Sequence, residues 1–158
     1  MNPQGRTVSQ ILAAIGEEQH GVAARTDLLD AGLTQWEIRD RVRAGVLLPE
    51  FRGVYCVGHR APSRESDYMA AVRSCGAGAV LSGRAAAHVL GLLRGQPPAP
   101  EVAAPTERRV EGVATRRCRR MHARERTIWR GIPVTTAART LVDLAASLSP
   151  EELARACH

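Results

Sequence analysis

The chain has no lysine: all 22 of its basic residues are arginine. That absence removes whole classes of chemistry, because no Walker A lysine, no Schiff base and no lysine of a PD-(D/E)xK nuclease site can be built. Aromatic residues are scarce at 3%, so a core drawn from 44% hydrophobic residues must pack through Leu, Val, Ile and Ala. No uncharged apolar run reaches about eighteen residues, the length a membrane span requires. The best stretch, Gly76 to Leu93, is interrupted by Arg84 and His88. Met1-Asn2-Pro3-Gln4-Gly5-Arg6 lacks the apolar centre of a signal peptide. No membrane partner and a cytoplasmic location are therefore expected.

The four cysteines, Cys56, Cys75, Cys118 and Cys157, form no CxxC pair and read as reduced, mostly buried thiols. Cys56/His59 and Cys118/His122 have spacings that a Cys2His2 zinc site could use. Matches this short recur by chance, and no metal or cofactor is expected. Gly76-Ala77-Gly78 lacks the third glycine of a dinucleotide fingerprint and follows a helical pattern, so it reads as a helix stop and turn.

Charge is unevenly spread. Residues 1–58 hold six Arg against seven Asp/Glu, whereas residues 108–130 hold nine Arg against two Glu. Arginine, alanine and glycine are all abundant, as a GC-rich coding bias produces, so the location of the charge says more than the total of +6. The segment 108–130 admits a polyanion-contacting surface, a docking face for an acidic protein, or a solvated hairpin. Its candidate contacts are Arg116, Arg117, Arg119 and Arg120.

The first sixty residues carry closely packed start and stop signals. Thr7 and Gln10 form a capping box ahead of Val8, Ile11, Leu12 and Ile15, the stripe of an amphipathic helix. Thr26 opens a second short helix with Leu28 and Leu29, closed by Gly32. Thr34 and Glu37 form another box, with Leu33 and Ile38 as a hydrophobic staple. Two short helices across Ala31-Gly32-Leu33 have helix-turn-helix spacing, in which the second enters the major groove. Ile38 and Val42 project inward on that helix, and Trp36, Arg39, Asp40 and Arg43 project outward. Gln35 can reach adenine and the arginines guanine. After Gly45, Val46-Leu47-Leu48, a turn around Pro49-Glu50 and a second strand to Val57 give the layout of a wing. Arg52 on that wing and Arg25 before the second helix are candidate phosphate contacts.

Beyond residue 58 the pattern is mixed. Helices are expected from Ser63 to Cys75, from Ser82 to Leu93, from Thr136 to Ser147 and after Ser149-Pro150-Glu151-Glu152. Strands are expected at Val80-Leu81, Glu101–Ala104, Val113–Cys118 and Thr127–Arg130. The last helix starts with strong signals and the chain stops at His158, so a fragment or a naturally shortened form of a longer protein is expected. The fold class predicted is α+β: a winged helix-turn-helix over 1–58, then a small mixed α/β domain over 59–158.

Three segments form a recognisable set: Arg52-Gly53-Val54-Tyr55-Cys56-Val57-Gly58, Leu81-Ser82-Gly83-Arg84-Ala85-Ala86-Ala87, and the long Gly131-Ile132-Pro133-Val134-Thr135-Thr136-Ala137-Ala138-Arg139-Thr140-Leu141-Val142-Asp143-Leu144-Ala145. In this order and spacing the chain resembles the AbiEi-type antitoxin family of type IV toxin–antitoxin systems, in its actinobacterial form. The resemblance spans nearly the whole chain. It implies a winged helix that represses its own promoter and an antitoxin domain opposing a nucleotidyltransferase toxin. Many such relatives continue into a domain like the very-short-patch-repair endonucleases. This chain ends before one, so no nuclease activity is carried over.

An enzyme is the competing class. His20, His59, His88 and His122 fall in no catalytic spacing with Asp143 or Glu65, and Arg139 and Asp143, four apart, read as a surface helix pair. The expectation is a non-enzymatic, DNA-binding regulator acting on double-stranded DNA at its own promoter, with a toxin protein as a further partner and a homodimer on paired half-sites. The alternatives are a protein-interaction module and the regulatory part of a larger nucleic-acid-processing protein.

Overall fold

The computed structural model describes residues 5–59 and 63–157. Residues 1–4, the start of the stretch tested for a leader, lie outside the described residues, as does His158. The Thr7 hydroxyl accepts from the Gln10 N–H, and the Gln10 side chain accepts from the Thr7 N–H at 2.9 Å. This reciprocal cap starts α1 (Val8–Glu18), whose Ile11 and Leu12 are buried. A sharp turn through Gly21 leads into β1 (Val22–Ala24), a three-residue strand that has no counterpart in the sequence reading.

The helix α2 (Arg25–Asp30) follows β1 without a spacer. It starts one residue before Thr26, and no side chain caps it; instead the Arg25 N–H donates to the Gly53 carbonyl at 2.8 Å. Gly32, at φ 95°, turns the chain before α3 (Gln35–Arg43). Thr34 and Glu37 form the expected capping box, and Leu33 and Ile38 are both buried in the cluster that also holds Ile11, Leu12, Leu28 and Leu47.

A hairpin of β2 (Leu47–Phe51) and β3 (Val54–Val57) completes the sheet, in the order β1-β3-β2. The turn does not lie at Pro49-Glu50. Pro49 stands inside β2 opposite Tyr55, the register shifts between Pro49 and Phe51, and the chain reverses at Arg52-Gly53. The reason is positional. Gly58 donates to Val46, so bonded positions alternate along β2 and Pro49 falls on an outward-facing one. An edge strand tolerates a missing N–H there. Gly53, at φ 73°, supplies the left-handed residue that this reversal needs.

Alternate residues of this sheet face opposite ways. Ala23, Leu47, Tyr55 and Val57 join the cluster beneath α1–α3. On the other face Val22, Ala24, Val54 and Cys56 are also buried, and α4 (Arg64–Ser74) packs against all three strands. Arg73 of α4 is ion-paired with Asp27 of α2. The first compact unit therefore runs through Ser74 and includes a helix that the sequence reading grouped with residues 59–158.

The second unit begins at Cys75. Gly76 and Gly78, both at positive φ, make the turn expected after α4. The elements β4 (Val80–Leu81), α5 (Gly83–Val89), β5 (Glu101–Ala104), β6 (Ala114–Arg117), β7 (Arg126–Trp129), β8 (Ile132–Thr135), α6 (Ala137–Leu144) and α7 (Pro150–Ala156) follow. The sheet order is β6-β5-β4-β8-β7. β5 and β6 run parallel, and β6 and β7, the two strands of the basic segment, lie at opposite edges of the sheet and do not pair as a hairpin. The strand β8, unforeseen from the sequence because Pro133 sits in it, pairs with β4 on one side and β7 on the other. Ala85, Ala86 and Ala87 are fully buried in α5, which packs against both α6 and β5.

The fold class is thus α+β throughout. Among the described residues, no helix is long and apolar enough to cross a membrane.

Candidate nucleic-acid interface

The outer face of α3 is exposed where periodicity placed it. Gln35, Trp36, Arg39, Asp40 and Arg43 lie in solvent, Ile38 is buried and Val42 is half-buried. Trp36, Arg39 and Arg43 follow one another at i, i+3 and i+7 and form a stripe. Trp36 is 70% exposed, and the Arg39 guanidinium lies over its indole at 5.1 Å from the centroid. An exposed contact of this kind is worth about 0.5–1 kcal/mol. Leaving a tryptophan mostly in water forgoes on the order of 3 kcal/mol of burial. The arginine does not offset that loss; a covering partner would.

Two further candidates meet at the tip of the hairpin. Arg52 is exposed at the tip, and half-buried Arg25 is joined to the neighbouring Gly53 through its own N–H. The α3 cap adds a fixed negative charge at the far end of the stripe. The Thr34 N–H donates to Glu37 at 2.8 Å, and this bond, with the Thr34 hydroxyl, holds the Glu37 carboxyl below its ordinary range. The remaining acids of the face reduce to Asp40.

In the second unit the four basic candidates separate into two kinds. Arg117, Arg119 and Arg120 are exposed. Arg116 is exposed as well, but it is held by Asp143 of α6 at 2.6 Å. Asp143 is only 6% exposed and also accepts from Arg139 Nε at 3.0 Å, while Arg139 Nη1 reaches Glu125 at 2.8 Å. The Arg139–Asp143 pair is therefore not a surface pair but the centre of a four-residue network. Its charge is held firmly: hydrogen bonding to Glu125, then the charge of Asp143, raises the Arg139 pKa against the cost of burial. The Glu125 carboxyl is pulled down, first by the His122 N–H at 2.7 Å and then by Arg139.

Arg116 and Asp143 also line a cavity of about 250 Å³ with Ser82, Glu101, Thr115 and Ser147. Sequence reasoning missed Glu125 altogether: its contact with His122 is local, but its ion-pair partner Arg139 lies 14 residues away and only the fold joins them. Cys56 directs its thiol to Glu50, and among the described residues no three of His, Cys, Asp and Glu gather around a metal position.

No family model matches the chain, and no curated protein matches it. Among solved structures it is similar to the RV2827C protein from Mycobacterium tuberculosis, with a TM-score of 0.51 and 21% identity over 94% of this chain and 70% of that one. At that identity the likeness concerns the α+β fold alone.

Proposed function

We propose that residues 5–74 form a winged helix-turn-helix that reads duplex DNA with α3, and that the protein is a transcriptional regulator acting at its own promoter. The observation that carries this reading is the uncovered Trp36–Arg39–Arg43 stripe, with Gln35 at its N-terminal end. It stands on a helix that is set rigidly by a capping box and a buried staple. A groove-reading helix needs a rigid seat, an apolar inner face and an outer face of bidentate donors. The β2–β3 hairpin with Arg52 at its tip has the place of a wing, and Arg25 and Arg52 are suited to phosphate.

The antitoxin role, opposing a nucleotidyltransferase toxin, is supported by the resemblance of the three segments named above. Two of those segments, Leu81–Ala87 and Gly131–Ala145, supply the α5–α6 packing and Asp143. No residue is assigned a catalytic role in this reading.

The test is fluorescence anisotropy of the full chain against the gene's own upstream DNA and a scrambled duplex, over a salt series. Tighter binding to the upstream DNA that survives moderate salt supports base readout. Equal binding to both duplexes, falling with a log–log slope of about −0.9 per phosphate contacted, overturns it and leaves only charge attraction.

A further inference from the structure

We propose that the free edge of β7 is an interaction surface that accepts an extended acidic segment of a partner protein as a sixth strand of the second sheet. In an antiparallel pair, residues alternate between those bonded to their partner and those turned away. The Thr136 N–H donates to the Glu125 carbonyl at 2.9 Å, which makes Glu125, and hence Thr127 and Trp129, the bonded positions. Pro133, which has no N–H, stands opposite Ile128 in agreement with that phase. The backbone N–H and C=O of Ile128 and the C=O of Arg126 therefore face the open edge, while the Arg126 N–H closes the turn at Ala123–Glu125 by donating to the Ala123 carbonyl.

Sheet edges are ordinarily blunted by bulges, prolines or inward charges. β7 has four consecutive partners in unbroken register, and its Ile128 is 63% exposed. Arg126 shares a face with Ile128, and exposed Arg124 and Arg130 flank the strand. Arg130 stacks on Trp129 at 4.9 Å, which fixes cationic charge at the strand's end. The acid at its start, Glu125, already serves the His122 N–H and Arg139. Main-chain pairing gives such an edge affinity and side-chain chemistry gives it selectivity. The arginines choose an acidic occupant, and they oppose a second copy of this chain, whose own β7 would bring like charges alongside. This edge belongs to β7 alone and is available whether or not α3 reads DNA.

The experiment uses the full chain and a fluorescein-labelled octapeptide of alternating Glu and Val. The expected result is binding about tenfold tighter than that of the alternating Lys–Val peptide, with new hydrogen-exchange protection at the Ile128 amide. Ile128→Pro removes an outward N–H and no ladder bond, and should weaken the acidic peptide about tenfold while DNA binding stays unchanged. Arg126→Glu, which leaves the backbone intact, should shift the preference towards Lys–Val. Absence of acidic-peptide binding, or equal binding by a peptide N-methylated at alternate residues, would overturn the proposal. So would a concentration-dependent dimer abolished by Ile128→Pro, or displacement of the peptide by duplex DNA, which would give these arginines to nucleic acid.

Discussion

Arg39 lies over the indole of Trp36 one turn earlier on α3, 5.1 Å from the ring centroid, with both side chains in solvent. The stacking orders the guanidinium before any partner arrives, since a long side chain otherwise loses about 1.5–2 kcal/mol of rotamer freedom on being fixed. An arginine already aligned meets a base edge or a phosphate at lower entropic cost.

On this basis Arg39→Ala and Arg43→Ala should each abolish preference for the upstream duplex. A bidentate base contact is worth about 1–3 kcal/mol of discrimination. Neither side chain is buried, so the thermal midpoint should hold to within an equivalent of about 0.5 kcal/mol. Anisotropy against matched and scrambled DNA, with thermal melts alongside, checks both halves. Unchanged discrimination in both variants would remove α3 from the reading role.

The second basic surface should divide. Replacing Arg117, Arg119 and Arg120 with Ser is expected to weaken all duplexes alike and to flatten the salt dependence by about 0.9 for each phosphate no longer neutralised. Arg116→Ser should behave differently, because it uncovers Asp143. Lower stability with little change in the salt slope is the expected outcome. Identical behaviour of all four arginines would show that the Arg116–Asp143 pair does not persist in solution.

Arg139 is the centre of the network, and Arg139→Ala removes one of the two arginines that hold Asp143 and the arginine that holds Glu125. Stripping a partner from a buried ion pair costs about 3–5 kcal/mol. Arg139 and Glu125 are part-exposed, Asp143 keeps Arg116 and Glu125 keeps the His122 N–H, so the expected loss is smaller, about 1–2 kcal/mol. Arg139→Lys should recover only part, since a single ammonium cannot span both carboxylates as the planar fork does. Urea unfolding of the three proteins measures the ordering.

Acid should loosen the helix starts. The carboxyls of Glu37, Glu125 and Glu152 are held below the ordinary value of 4.5, each chiefly by a backbone N–H at its cap, from Thr34, His122 and Ser149. A depressed folded pKa means stability that is complete above about pH 4.5 and is lost as pH falls through the lowered value. Replacing all three with Gln, which keeps the capping geometry without the charge, should flatten stability against pH in that acid window and lower it at pH 7 towards the value the unaltered protein has in acid. A steep acid limb in the triple variant would place the titrating groups elsewhere.

Local rules made helix starts readable in both units. Thr7–Gln10, Thr34–Glu37 and Ser149–Glu152 are written within four residues, and all three caps form. The α3 stripe followed from a period of 3.6, and its exposure agrees. What escaped depends on distant neighbours. β1 is three residues long and exists because β3 lies beside it. The turn was drawn to Pro49 by turn chemistry, but an edge position made proline acceptable within the strand. β5 and β6 pair in parallel, which no hydrophobic alternation announces. Glu125 gained its role only when folding brought Arg139 beside it.

The helix α4 sets the size of the piece that can be moved. Tyr68, Met69 and Val72 are all buried in it, and side chains of that kind contribute roughly 1.5–3 kcal/mol each. Together they are comparable with the entire 5–15 kcal/mol that holds a small domain folded. Cutting after Gly58 would spare every residue of the α3 stripe and the hairpin, yet wet the face formed by Val22, Val54 and Cys56. The transplantable cassette is therefore longer than the part that carries the α3 stripe. A fusion or a natural rearrangement that borrows this module must carry the chain through Ser74, or it inherits the stripe without the ground it stands on.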